Sequence, residues 1–173
     1  MLSQKFYKTM SSLEQDIASL LRQKGLTLGV VESATGGLIS HRITNVPGSS
    51  DYYQGSITAY SNEVKVRGVG VKEETIRKYG AVSSQVAEEM AQWGRKVLAV
   101  DICLADTGIA GPGGAKPEKP VGLFFIGLAH SSGSYSRKHI FGSDREQNKQ
   151  DAAEAALSWL KEYLTGLKQE EKF

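Results

Sequence analysis

The sequence predicts an α/β three-layer sandwich, a mostly parallel mixed sheet with helices on both faces. Three observations lead there. Strand-length apolar segments alternate with amphipathic helical segments through most of the chain. Two adjacent strand-like segments near the end are joined by Ser131-Ser-Gly133, a hairpin signal. Finally, 173 residues, 40% of them apolar, suffice for one domain that buries about 70% of its extended surface without disulfides or a structural metal. The chain is therefore read as a single domain over 1–173 with its core at about 12–165.

Each element has its own signature. Residues 12–24 carry Leu13, Ile17, Leu20 and Leu21 at helical spacing, and Gly25 is the stop signal. Residues 27–32 are short, apolar and β-branched, as a buried strand requires. The turn Ser33-Ala-Thr-Gly-Gly37 then introduces the helical stripe Leu38, Ile39, Ile43 and Val46, closed by Pro47-Gly48. Residues 55–60 form a second strand, and Ser61-Asn62-Glu63 caps a short helix carrying Val64 and Lys65. Residues 72–79 and 83–97 read as two helices, the second capped by Ser83 with Val86, Met90, Trp93 and Val97 on one face. A buried strand over 101–109 runs into a Gly/Pro loop over 110–120. Strands over 121–130 and 135–141 follow. A long helix over 144–164 then turns Ala152, Ala156, Trp159 and Tyr163 inward, ahead of a frayed tail from Leu167 to Phe173.

Composition narrows the function. The chain has 21 Lys plus Arg against 19 Asp plus Glu, a net charge of +2 that provides no clustered basic field for nucleic acid. Cys103 is the single cysteine and sits in an apolar run, so a buried thiol in a reducing compartment is expected. The first residues lack the apolar core of a secretory signal, and the longest apolar stretch, 121–129, is too short to span a bilayer. A cytoplasmic protein without membrane or nucleic-acid partners is expected.

In open α/β sheets ligands bind where strand-to-helix loops converge, at the C-terminal ends of strands. Three segments are expected to meet there: residues 33–37, Ser49-Ser50 with the strand after them, and the loop from Thr107 to Gly114. All are rich in Gly, Ser and Thr, so each reads either as a tight turn with a cap or as a cradle of backbone amides for an anion such as phosphate. Neither glycine loop is a Walker A or GxGxxG motif. His41, His130 and His139 are scattered and form no metal-ligand spacing, the carboxylates form no recognisable cluster, and no metal or cofactor is expected. A serine with a lysine base remains. The segment from Ser49 to Lys65 holds both, with Tyr60 between. Lys65, flanked by Val64 and Val66, reads either as an exposed helix lysine or as a partly buried base of lowered pKa.

Six ordered motifs carry a resemblance: Glu32-Ser-Ala-Thr-Gly-Gly37, Val46-Pro-Gly-Ser-Ser50, Ala59-Tyr-Ser-Asn-Glu-Val-Lys65, Gly80-Ala-Val-Ser83, Thr107-Gly-Ile-Ala-Gly-Pro-Gly-Gly114 and Glu118-Lys-Pro-Val-Gly122. From about Leu13 to Leu164 the chain resembles the CinA C-terminal domain family, whose active members are nicotinamide-nucleotide amidases. The resemblance implies metal-free hydrolysis of nicotinamide mononucleotide (NMN) to nicotinate mononucleotide and ammonia in pyridine-nucleotide salvage, by a serine–lysine mechanism. It makes Ser50 the nucleophile, Lys65 the general base and Tyr60 an aid to proton transfer, with Ser33 at the place of another essential serine. It puts Arg145 on the phosphate, where a bidentate guanidinium fits. Substrate contacts are expected from Thr35, Gly36, Gly37, Thr107, Gly108, Gly111, Gly113 and Gly114, the loop amides serving oxyanion or phosphate. Larger relatives carry an additional N-terminal domain, so the length suggests the stand-alone amidase form.

Three segments depart from the family pattern. Ala34 stands where Cys is usual, Gly142-Ser143 alters the approach to Arg145, and Asn148-Lys149 replaces an apolar residue and an arginine. The alternative reading is a non-catalytic nucleotide-binding or regulatory module of the competence-damage family. Relatives suggest a homo-oligomer, a dimer above all, and Phe6, Tyr52 and Tyr53 each read either as an exposed aromatic contact or as a core residue.

Overall fold

The computed structural model describes residues 11–167. Ser12 opens α1 (Leu13–Lys24) with a capping box: its hydroxyl accepts the Gln15 N–H while its own N–H donates to the Gln15 side chain, and Gly25 closes the helix in the left-handed region. β1 (Leu28–Glu32) and α2 (Leu38–Thr44) follow, then a single 3-10 turn over Ser49–Asp51 and β2 (Tyr53–Thr58). Next come α3 (Asn62–Val69), α4 (Glu73–Tyr79) and α5 (Ser84–Val97), with Ser61 and Ser83 capping α3 and α5. β3 (Ile102–Gly108), the hairpin of β4 (Leu123–His130) and β5 (Gly133–Ile140), and α6 (Arg145–Gly166) complete the order.

The sheet runs β2-β1-β3-β4-β5, parallel across β2, β1 and β3, with β4 antiparallel to both its neighbours. Alternation along the strands builds two cores. Leu28, Val30, Ile102, Leu104, Phe124, Ile126 and Leu128 face α1, α2 and α6, whereas Val31, Cys103, Ala105 and Ala129 face α3 and α5. The expected three layers are present.

The α5 layer packs through small residues. A Cβ at Gly127 would lie 2.3 Å from the Ala87 carbonyl oxygen, and one at Gly94 would lie 2.3 Å from a Val31 methyl. This close approach rotates α5 away from the face expected from its bulky residues. Val86 and Met90 are buried as expected, but Ala87, Ala91 and Gly94 complete the face, and Trp93 and Val97 are exposed. In α6, Ala152 and Ala156 are buried beside Ala153, Leu157, Leu160 and Leu164, leaving Trp159 and Tyr163 at the core margin.

Tyr52 is buried, and Tyr53 is half-buried with its hydroxyl donating to Ser40 at 2.6 Å, so neither is an exposed aromatic contact. Phe6 and residues 168–173 of the tail lie outside the described residues. Burial pushes the Cys103 thiol up to about 12, as a core position does. No helix among the described residues is long and apolar enough to cross a membrane.

Candidate functional site

The C-terminal ends of β1 and β3 lie side by side in parallel register, which brings Ser33 next to the loop after Gly108. Glu32, the last residue of β1, is fully buried. Its carboxylate accepts the N–H groups of Gly37, Ile39 and Ser40 and the hydroxyls of Thr35 and Ser40. An internal carboxylate thus occupies the start of α2, where an anionic ligand would otherwise bind. For this reason Thr35, Gly36 and Gly37, expected at the substrate, lie off the pocket lining.

Ser33 is fixed from β3. Its N–H donates to Asp106 at 2.9 Å, and the same carboxyl accepts the Thr35 N–H at 3.2 Å and meets the Thr35 hydroxyl. Asp106 is fully enclosed, and burial, reinforced by nearby Glu32, pushes it up to about 6 against the hydrogen bonds it receives.

Lys65 reaches this turn from α3. Only 2% of it is exposed, and Nζ lies 2.8 Å from Ser33 Oγ, 2.9 Å from the Ala59 carbonyl and 3.1 Å from that of Tyr60. An ammonium satisfies three acceptors there. A neutral amine donates to the two carbonyls and accepts the Ser33 hydroxyl, the arrangement of a base poised on a nucleophile. Burial holds Lys65 below the usual lysine range, partly opposed by the charge of Asp106. The partly buried alternative for Lys65 is therefore the one realised.

A pocket opens over this pair, lined by Ser33, Ala34, Tyr60, Asn62, Lys65, Ala81 and Val82, by the stretch from Thr107 to Gly111, and by Gly113, Gly114 and Arg145. The N–H groups of Ala34, Gly111, Gly113 and Gly114 make no hydrogen bond among the described residues. Arg145 stands at the mouth, donating to the Gly111 carbonyl at 2.6 Å and to the Tyr60 hydroxyl at 3.0 Å. Asn148, one turn on and fully buried, donates to the carbonyls of Ala110 and Ser143 and accepts the Ser143 N–H, joining the glycine loop to the start of α6. Thr107 turns its hydroxyl to the Ala81 carbonyl. Among the described residues no group of three or more His, Cys, Asp or Glu is placed to hold a metal.

Ser50 is not brought to this pocket. It precedes β2, and parallel pairing sets Tyr53 beside Leu28 and Thr58 beside Glu32. Ser50 therefore lies at the N-terminal end of the sheet, a strand length of about 16 Å from the end that carries Ser33. It is exposed, in a turn whose Pro47 and Gly48 carbonyls and Asp51 carboxylate are held by Arg22 of α1. The expected Ser50–Lys65 pair is replaced by Ser33–Lys65. The residues sequence reasoning missed are Glu32 and Asp106, whose signal was an ionisable side chain in an apolar strand beside a glycine-rich turn.

Fold and site together define a three-layer α/β domain with a buried serine–lysine pair under a glycine-loop pocket. The chain belongs to the CinA C-terminal domain family, whose model matches residues 10–164. It is 48% identical over 157 residues to a CinA-like protein of Chloroherpeton thalassium, covering 88% of this chain and 37% of that protein. A putative competence-damage inducible protein of Halothermothrix orenii is 47% identical over 155 residues, covering 89% and 38%. The chain thus spans well under half the length of these curated relatives. Among solved structures, a competence or damage-inducible protein from Enterobacter asburiae superposes with TM-score 0.85 at 30% identity, covering 88% of this chain and 96% of that one. The competence/damage inducible protein CihA from Agrobacterium tumefaciens gives 0.80 at 34%, covering 90% and 99%.

Proposed function

We propose that this protein is a nicotinamide mononucleotide amidohydrolase acting through Ser33 and Lys65. The observation that carries the reading is the 2.8 Å contact between Lys65 Nζ and Ser33 Oγ, buried under a pocket of unpaired amides. Neutral Lys65 takes the Ser33 proton as Oγ attacks the carboxamide carbon, and the developing oxyanion is stabilised by nearby N–H groups. The C–N bond then breaks, Lys65 returns its proton to the departing ammonia, and the acyl group remains as an ester on Ser33. Water, deprotonated by the same amine, attacks the ester carbon, the C–O bond to Ser33 breaks as Lys65 returns the proton to Oγ, and nicotinate mononucleotide leaves. Arg145, with its planar donor fork at the mouth, suits the 5′-phosphate.

Incubating the protein separately with NMN, nicotinamide and NAD while measuring ammonia tests this. NMN should be turned over, Ser33→Ala and Lys65→Met should each cost at least about a thousandfold, and Ser50→Ala should keep most of the rate. Thermal stabilisation by NMN without ammonia release would instead favour the nucleotide-binding module.

A further inference from the structure

Thr35 has one hydroxyl proton and two carboxyl neighbours. Its Oγ1 lies 2.7 Å from Glu32 Oε2 and also meets Asp106 Oδ1. One proton cannot satisfy both contacts if both carboxyls are ionised. Glu32 already accepts four other hydrogen bonds, from the amides of Gly37, Ile39 and Ser40 and the Ser40 hydroxyl, which is the setting of a carboxylate. The second proton of the bridge therefore belongs on Asp106, which donates it to Thr35 while still accepting the Ser33 N–H.

We infer that Asp106 is a proton-holding positioning residue that fixes the Ser33 backbone and, by gaining or losing its proton, sets the charge state of the Ser33–Lys65 pair. The ionisable groups around it are few. β1 contributes Glu32 and α3 contributes Lys65; its partner on β4 is Ile126. Two residues beyond Leu104, Asp106 shares the sheet face packed by α1, α2 and α6, whose buried residues are all uncharged, and Lys149 of α6 lies beside Gly36. When Asp106 is neutral, Lys65 more readily adopts the amine form that accepts the Ser33 proton. When Asp106 ionises, the ammonium is favoured and the Thr35 hydroxyl faces two anions, so the nucleophile loses its base.

The inference concerns the same site as the proposed amidase, but one arm of its test needs no substrate. The midpoint of Lys65 is followed by NMR of its 13Cε in the wild type and in Asp106→Asn, which keeps the side-chain shape. The midpoint should fall by about one pH unit, because above about pH 6 the wild-type carboxyl has ionised beside the amine and the Asn side chain cannot. With NMN as substrate, the acidic limb of kcat/KM should move down by the same amount, whereas a purely structural role lowers the rate at every pH and leaves the limb in place. An unmoved Lys65 midpoint in the folded variant overturns the inference. If Asp106→Asn does not fold, the wild-type Lys65 resonance must show a second inflection at the pH where Asp106 13Cγ titrates, and a single inflection overturns it. A shifted midpoint without NMN hydrolysis would uphold Asp106 and reject the amidase.

Discussion

Asp106→Asn should flatten the pH dependence of stability between pH 4 and 7. In the folded protein the carboxyl is pushed up to about 6 by complete burial, whereas an ordinary aspartate ionises at 3.8. Below 3.8 both states hold the proton. Between the two values the unfolded chain has released it and the native state has not, so stability declines as pH rises until the native carboxyl also ionises. At about 1.4 kcal/mol per pH unit the full effect is about 3 kcal/mol, of which more than about 2 falls between pH 4 and 7. For a domain of this size that corresponds to about 5–10 °C in Tm. Urea denaturation of both proteins at pH 4, 5, 6 and 7 measures it. The stability difference should move steadily in favour of Asn as pH rises, and parallel pH curves would refute a neutral, buried Asp106.

Other substitutions probe the packing and the pocket. Gly127→Ala drives a methyl to 2.3 Å from the Ala87 carbonyl oxygen, a backbone atom that cannot rotate away, and should cost about 1–3 kcal/mol in urea denaturation. Asn148→Ala removes three buried hydrogen bonds between the glycine loop and the start of α6, so a loss of about 2–3 kcal/mol is expected by the same assay. Arg145→Lys cannot hold both the Gly111 carbonyl and the Tyr60 hydroxyl; steady-state kinetics with NMN should show KM raised about tenfold and kcat changed far less.

Local signals are legible in the sequence: Gly25, Ser61 and Ser83 mark helix ends that the structure carries, and the paired strands after the glycine loop form the expected hairpin. What was not legible depends on pairing at a distance. Ser49-Ser50 resembles the other polar loops in composition, but it precedes a parallel strand instead of following one, which assigns it to the opposite end of the sheet. The α5 stripe followed side-chain size, whereas the packing against Gly127 and Val31 selects small residues. The glycine turn after β1 reads as open to a ligand because nothing local in the sequence shows Glu32, at the strand end, folding back to accept its amides. Lys65 was ambiguous because its burial depends on β1 and α3 meeting at the Ser33 turn.

The most direct test of Ser33 as the nucleophile is to trap the covalent intermediate. The protein is mixed with NMN, quenched in acid within the first turnover, digested and analysed by mass spectrometry. An acyl adduct should appear on the peptide carrying Ser33, with the peptide carrying Ser50 unmodified, and should be absent in Ser33→Ala. An adduct on Ser50, or one that persists in Ser33→Ala, would contradict the assignment.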